Sequence, residues 1–127
     1  MNNNSNYTPD GVNLSYVLPI SSNEIYVRTY ERGVGFTNAC GTAMTASALV
    51  AFKNGLVNQS NITVYNPGGF VKCSVIIEDN EFYRLRLSGN ATYVEHVICE
   101  IKGDNFLLSS CKNYEEALKY DNSLVSV

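Results

Sequence analysis

At 127 residues, 45% hydrophobic and 17% charged, the chain has the length of one domain and enough apolar side chains to bury a core. Its net charge of -3 and singly scattered Lys and Arg exclude a general nucleic-acid or anionic-membrane surface, which needs a basic patch. No apolar run is long enough to span a bilayer, and the polar start "MNNNSNYTPDG" lacks the apolar stretch of a signal peptide, so the expected location is the cytoplasm.

Residues 1–10 read as a flexible lead-in. "VNLSYVLP" alternates well enough for a strand over residues 12–19. "EIYVRTY" over 24–30 alternates cleanly, with Ile25, Val27 and Thr29 on one face and Tyr26, Arg28 and Tyr30 on the other. "ERGVG" reads as a loop, because Gly33 and Gly35 interrupt any strand. Thr37 or Asn38 is placed to cap a helix from about Ala39 to Lys53. Its "AMTASALVAF" is small or apolar nearly all round, the pattern of a helix buried on most sides, and Asn54-Gly55 is a good stop.

Four strand-like runs follow: "NITVYN", "FVKCSVIIE", "EFYRLRLSG" and "ATYVEHVICEI". "PGG" at 67–69 and "DN" at 79–80 turn the first three into antiparallel hairpins, and "SGN" separates the last. The tail, from about Lys102, differs, and its "NYEEALKYDNSL" reads as a short helix. The expected fold is α+β: a curved, mainly antiparallel sheet of about six strands around one central helix. This domain takes residues 11–101, and 102–127 form a C-terminal extension.

The four cysteines, Cys40, Cys73, Cys99 and Cys111, are irregularly spaced with no CxxC pair, which argues against zinc and leaves reduced thiols as the expectation. Cys40 falls in the first turn of the expected helix, where unpaired N–H groups and the dipole favour an anion. Two anions suit that place: the thiolate of Cys40 itself, and a carboxylate held by the N–H groups of Gly41 and Thr42. Gly41, having no Cβ, lets a ligand come close to the backbone. A buried structural cysteine is the alternative.

Other cysteine chemistries lack their partners. The single histidine, His96, lies in a strand-like run rather than beside the thiol, as a Cys/His hydrolase would need. No Arg follows in "CGTAMTAS" to grip a phosphate, and "GVGFTN" falls short of GxGxxG. What remains is a thiol that transfers protons beside a bound carboxylate.

"ERGVGFTNACGTAM" resembles the C-terminal signature of the diaminopimelate epimerase family, E-R-G-x-G-E-T-x-A-C-G-T/S-G-A. "PDGVN" resembles the family's Pro-x-x-Val-Asn element, and "PGG" followed by "LSGNATYVEHVICEI" resembles its closing strands, with their G-P-A-x-x-V pattern. The resemblance runs from about Pro9 to Ile101, some three quarters of the chain. It implies a cofactor-free and metal-free amino-acid epimerase serving lysine and cell-wall precursor synthesis. One cysteine thiolate removes the α-proton and a second thiol on the opposite face returns one. Carried over residue by residue, Cys40 is one acid/base, and Gly41 and Thr42 hold the substrate α-carboxylate. Glu31 and Arg32 recognise the substrate's charged groups, Arg32 meeting a distal carboxylate, and Asn13 hydrogen-bonds the distal amino-acid end. Taken without the resemblance, Glu31–Arg32 is a solvated surface pair.

The chain departs from the family pattern at Phe36, where Glu is usual, at Ala43, where Gly is usual, and at Asn90, often Pro. Phe36 removes a carboxylate near the expected site, which predicts an altered substrate choice. The family's enzymes have two similar lobes, each with a central helix and a catalytic cysteine, and the active site lies in the cleft between them. This chain has the features of the C-terminal lobe alone. The Asn-Gly-x-Arg-x-Cys-type motif of the other lobe is absent, and Cys73, Cys99 and Cys111 do not match its position. The expectations are that the chain does not turn over by itself and that it either works with an N-terminal lobe, from the same longer chain or a separate polypeptide, or has lost activity. Its exposed cleft face also favours self-association. Two other readings fit the same residues: a lobe of a different cofactor-free racemase, and a non-catalytic anion-binding domain.

Overall fold

The computed structural model describes residues 10–79, 82–93 and 95–113, and for 110–113 the backbone alone. The chain forms two compact units, Met1–Gly89 and Asn90–Val127. In the first, strands β1 (Leu14–Ser21), β2 (Glu24–Glu31) and β3 (Gly35–Phe36) precede helix α1 (Gly41–Lys53). Strands β4 (Asn61–Asn66), β5 (Gly69–Glu78) and β6 (Phe82–Ser88) follow it. The sheet order is β1-β2-β4-β5-β6, with β3 paired to β2. β2 and β4 run parallel, while every other described pairing is antiparallel. Parallel neighbours need a crossover, and α1 is that crossover, which is what seats the helix on the sheet. The fold is α+β, as the sequence indicates.

Alternation in β2 sends Ile25, Val27 and Thr29 inward, where they are buried. They meet Ile62 and Val64 of β4, Cys73 and Val75 of β5, and Met44, Ala48 and Ala51 of α1 in one core. Each fully buried Ile contributes roughly 1.5–3 kcal/mol over an exposed one. Alanine and serine on the inner helix face let α1 lie close to the strands. "PG" at 67–68 turns β4 into β5, with Asn66 paired to Gly69. β5 and β6 are joined past Asp79, the one described non-glycine residue with positive φ, at 46°.

Four expectations need correction. First, α1 starts at Gly41 with Cys40 as its N-cap, not at Ala39 with Thr37 or Asn38 as the cap. The backbone of those two residues is engaged elsewhere: the Thr37 N–H donates to Thr29 O at 3.2 Å, and Asn38 O accepts from the Gly68 N–H at 2.7 Å. Second, only one face of the helix is buried, through Met44, Ser47, Ala48 and Ala51, while Thr42, Ala46 and Val50 are exposed. The other end is as read, with Asn54 the C-cap and Gly55 following at φ 70°.

Third, "ERGVG", expected as a loop throughout, is a hairpin turn whose first and last residues, Glu31 and Gly35, belong to β2 and β3. The Val34 N–H donates to Glu31 O at 3.2 Å, and Gly33 and Gly35 take φ of 76° and 95°. Fourth, the sixth strand of the sheet is β3, not the run "ATYVEHVICEI". In the second unit, β7 (Glu95–Lys102) pairs antiparallel with β8 (Asn105–Asn113). Gly103 at φ 61° closes that hairpin locally, so the nearest partner for β7 is the chain that follows it. Of the expected helix "NYEEALKYDNSL", Asn113 ends β8 and the rest lies outside the described residues. Among the described residues no helix is long and apolar enough to cross a membrane.

Candidate active site

The β2–β3 hairpin, the segment before β1 and the first turn of α1 bring the expected site residues into one part of the first unit. Glu31 continues the inward alternation of Thr29, and its Oε1 accepts from the Thr37 Oγ1 hydroxyl at 2.5 Å. Arg32 begins the hairpin turn. Its backbone N–H donates to Asn13 Oδ1 at 2.8 Å, and its Nη1 donates to Asp10 O at 2.5 Å. Asn13 and Arg32 are therefore tied to each other, and Arg32 anchors the chain that enters β1. Thr37, weighed from the sequence only as a cap, is the residue that orients Glu31. The signal available was a hydroxyl placed across a two-glycine turn from an acid.

Cys40 has extended backbone angles, φ -144° and ψ 99°, and its carbonyl accepts the Met44 N–H at 2.9 Å to open the helix. Its thiol is half-buried, with Sγ 3.5 Å from Thr42 Oγ1. No side chain caps α1, and its first turn has no acidic residue. The first turn thus brings no carboxylate of its own to the first N–H groups and the positive end of the dipole. That arrangement suits a carboxylate at Gly41–Thr42. The Thr45 hydroxyl turns back to Gly41 O at 2.8 Å. Gly41 does not open onto free space: an added Cβ would meet Leu87 Cδ2 of β6 at 3.3 Å. That atom is the end of a flexible, half-exposed side chain.

Thr42 and Asn13 also face a groove of about 450 Å³ between α1 and the β1 side of the sheet. Ser15 and Val17 line one wall, and Ala43, Ala46 and Val50 the other. The remaining thiols stand apart. Cys73 is buried under α1, and burial pushes its thiol up from the ordinary value, a hydrogen bond with Thr45 opposing. It stays protonated and closed off, the properties of a packing residue. Cys99 and His96 are exposed on β7, in the second unit. Among the described residues no three His, Cys, Asp or Glu converge as a metal site would require.

Pairing Phe36 with Tyr30 puts its ring on the outer face of the sheet, the face opposite Thr29. There it meets Tyr30 edge-on, centroids 5.3 Å apart, with Tyr16 at 6.4 Å and the Arg28 guanidinium 5.2 Å over the ring. Ala43 lies on the groove wall, and Asn90 donates from Nδ2 to Thr92 Oγ1 at 2.8 Å.

A family profile described as diaminopimelate epimerase matches residues 3–94, which contain the whole of this arrangement. The chain belongs to the diaminopimelate epimerase family. It is 41% identical over 124 residues to a protein named diaminopimelate epimerase in Clostridium acetobutylicum, covering 94% of this chain and 37% of that one. The Enterococcus faecalis protein of the same name is 48% identical over 100 residues, with 77% and 30% covered. The Lactiplantibacillus plantarum protein is 52% identical over 95 residues, with 70% and 28% covered. The chain thus spans about a third of the length of the curated relatives it matches, 37% in the Clostridium case.

Proposed function

We propose that this chain supplies the C-terminal half of a cofactor-independent epimerase that interconverts LL- and meso-diaminopimelate in the cytoplasm, feeding lysine and peptidoglycan precursor synthesis. Cys40 is one of its two acid/base thiols. Its thiolate takes the α-proton from one face of the substrate, and the C–H electron pair stays on the α-carbon. A cysteine thiol from the part of the family's length that this chain does not span delivers a proton to the other face and is left as the thiolate. The reverse reaction exchanges the two roles. N–H groups of Gly41 and Thr42 hold the α-carboxylate, so charge developing next to it is stabilised by groups already in place. Glu31 and Arg32 recognise the substrate's charged groups, Arg32 the distal carboxylate, and Asn13 hydrogen-bonds the distal amino-acid end.

The observation that carries this reading is Cys40 itself: a half-exposed thiol at the start of an uncapped helix, 3.5 Å from Thr42, in a chain of this family. The placement of Phe36 favours diaminopimelate over another amino acid, because the departure at that position lies on the far face of the sheet. By itself the chain is expected to show no turnover.

The test joins the chain to the N-terminal part of a diaminopimelate epimerase and follows α-deuterium incorporation from deuterated water. Exchange is expected, and Cys40→Ala should lower it by about 10²–10⁴-fold, the usual weight of a general acid/base. Undiminished exchange in Cys40→Ala would remove Cys40 from the mechanism.

A further inference from the structure

The β4–β5 turn touches the chain on both sides of Cys40. The Gly68 N–H donates to Asn38 O at 2.7 Å, and Asn66 Oδ1 lies 3.0 Å from the same nitrogen. Asn38 and Ala39 lead directly into Cys40. Asn66 is buried, and its Nδ2 donates to Met44 Sδ at 2.9 Å, in the first turn of α1. The turn therefore grips the backbone two residues before Cys40 and a side chain four residues after it.

The two glycines of "PGG" are needed for different reasons. Gly69 takes φ 135°, a conformation open to glycine. Gly68 has no such backbone requirement and is needed for space. A Cβ there would stand 2.7 Å from Asn38 O, 3.1 Å from Asn38 C and 3.4 Å from Ala39 Cβ. The first two are backbone atoms, so nothing flexible can swing aside, and the pre-helix segment itself would have to move. Most helix starts are held by a capping side chain, and α1 has none. The contacts of the turn with Asn38 and Met44 flank that start.

We propose that Gly68 and Asn66 are positioning residues for Cys40: the β4–β5 turn, rather than a helix cap, sets where the thiol and the first N–H groups of α1 stand. That the placement serves proton transfer rests on the epimerase reading, but the placement itself is testable without substrate. The experiment is site-resolved alkylation of the folded chain with iodoacetamide, read by mass spectrometry at three thiols. Cys40 reports the site, Cys99 in the separate β7–β8 unit normalises for reagent, and buried Cys73 reports opening of the core. In Gly68→Ala the Cys40:Cys99 rate ratio should fall about threefold or more, because alkylation follows the thiolate, which the N–H groups at a helix start favour. Cys73 should remain protected. A purely structural role would expose Cys73 before it changed that ratio.

An unchanged or higher ratio in Gly68→Ala with Cys73 protected overturns the proposal. If Gly68→Ala opens the core, Asn66→Ala decides on the same thiols. It removes one acceptor and the Met44 bond without adding bulk, and a fall in the Cys40:Cys99 ratio supports the proposal while an unchanged ratio overturns it. Failure of α-deuterium exchange in the joined enzyme, with the alkylation result as expected, would count against the epimerase reading and leave this one standing.

Discussion

Ala48 and Ala46 lie two positions apart in α1 and have opposite fates. Ala48 is fully buried against the sheet, whereas Ala46 is exposed and lines the groove beside β1. The whole helix divides this way, with Met44, Ser47 and Ala51 inside and Thr42 and Val50 outside. One face is packed on β2, β4 and β5, and the other has Asn13, Ser15 and Val17 across an open groove. Composition does not tell the faces apart, since both carry small and aliphatic residues. The difference lies in which side the crossover from β2 to β4 presses onto the strands.

The contrast can be broken most sharply at paired positions. Ile25→Ala, inside the covered face, should destabilise the chain by about 2–5 kcal/mol in urea unfolding, through lost burial and a cavity. Val50→Ala, on the open face, should stay within about 0.5 kcal/mol. Equal losses at the two would mean that the groove is closed in solution. A finer version adds bulk to the two alanines. Ala48→Leu should cost about 1–3 kcal/mol by overpacking, while Ala46→Leu should be nearly neutral in the isolated chain. Ala46→Leu should nonetheless weaken association with the N-terminal part, measurable as a loss of co-purification, if the groove is where that part docks.

The smallest effect is electrostatic, and its main contributor lies on the covered face. Burial raises the proton affinity of Cys73, so the folded state holds that proton more tightly than the unfolded chain does. This stabilisation is complete below the ordinary thiol value and is lost as pH rises through the raised one. The melting temperature should therefore decline on the alkaline side of about pH 8.5. Tyr65 adds to the decline, its phenol raised by burial and by its hydrogen bond to Glu24 and that carboxylate's charge. Cys73→Ala should flatten the slope without abolishing it. A slope identical to that of the parent chain would mean that Cys73 is not sealed beneath α1.

Much of the site was legible because its signals are local. The run Glu31–Arg32, two glycines and Cys40 ahead of small apolar residues marked a turn and a helix start within one stretch of chain. Asn13 was legible only through the family resemblance, and its bond to the Arg32 N–H could not be seen because 19 residues separate the two. The role of Thr37 was missed for a similar reason: its bond to Glu31 exists only once the β2–β3 hairpin folds. Phe36 was expected near the site from the family pattern, but strand pairing with Tyr30 puts its ring on the face opposite Thr29.

By itself, the amino-acid sequence determined the period-two strands, the turns at "PGG" and after Glu78, the helix ending at Asn54-Gly55, and a cysteine at that helix's start. These depend on alternation, on glycine and asparagine backbone preferences and on hydrophobic pattern, all of which act over a few residues. Only the tertiary structure decided that β2 and β4 run parallel, that β7 pairs with β8, that α1 is covered on one face, and that Gly68 rather than a side-chain cap holds the entry to Cys40. Each of these is a contact between segments far apart in the chain. Its energy depends on how closely two backbones can approach, and that distance is a property of the assembled sheet and helix.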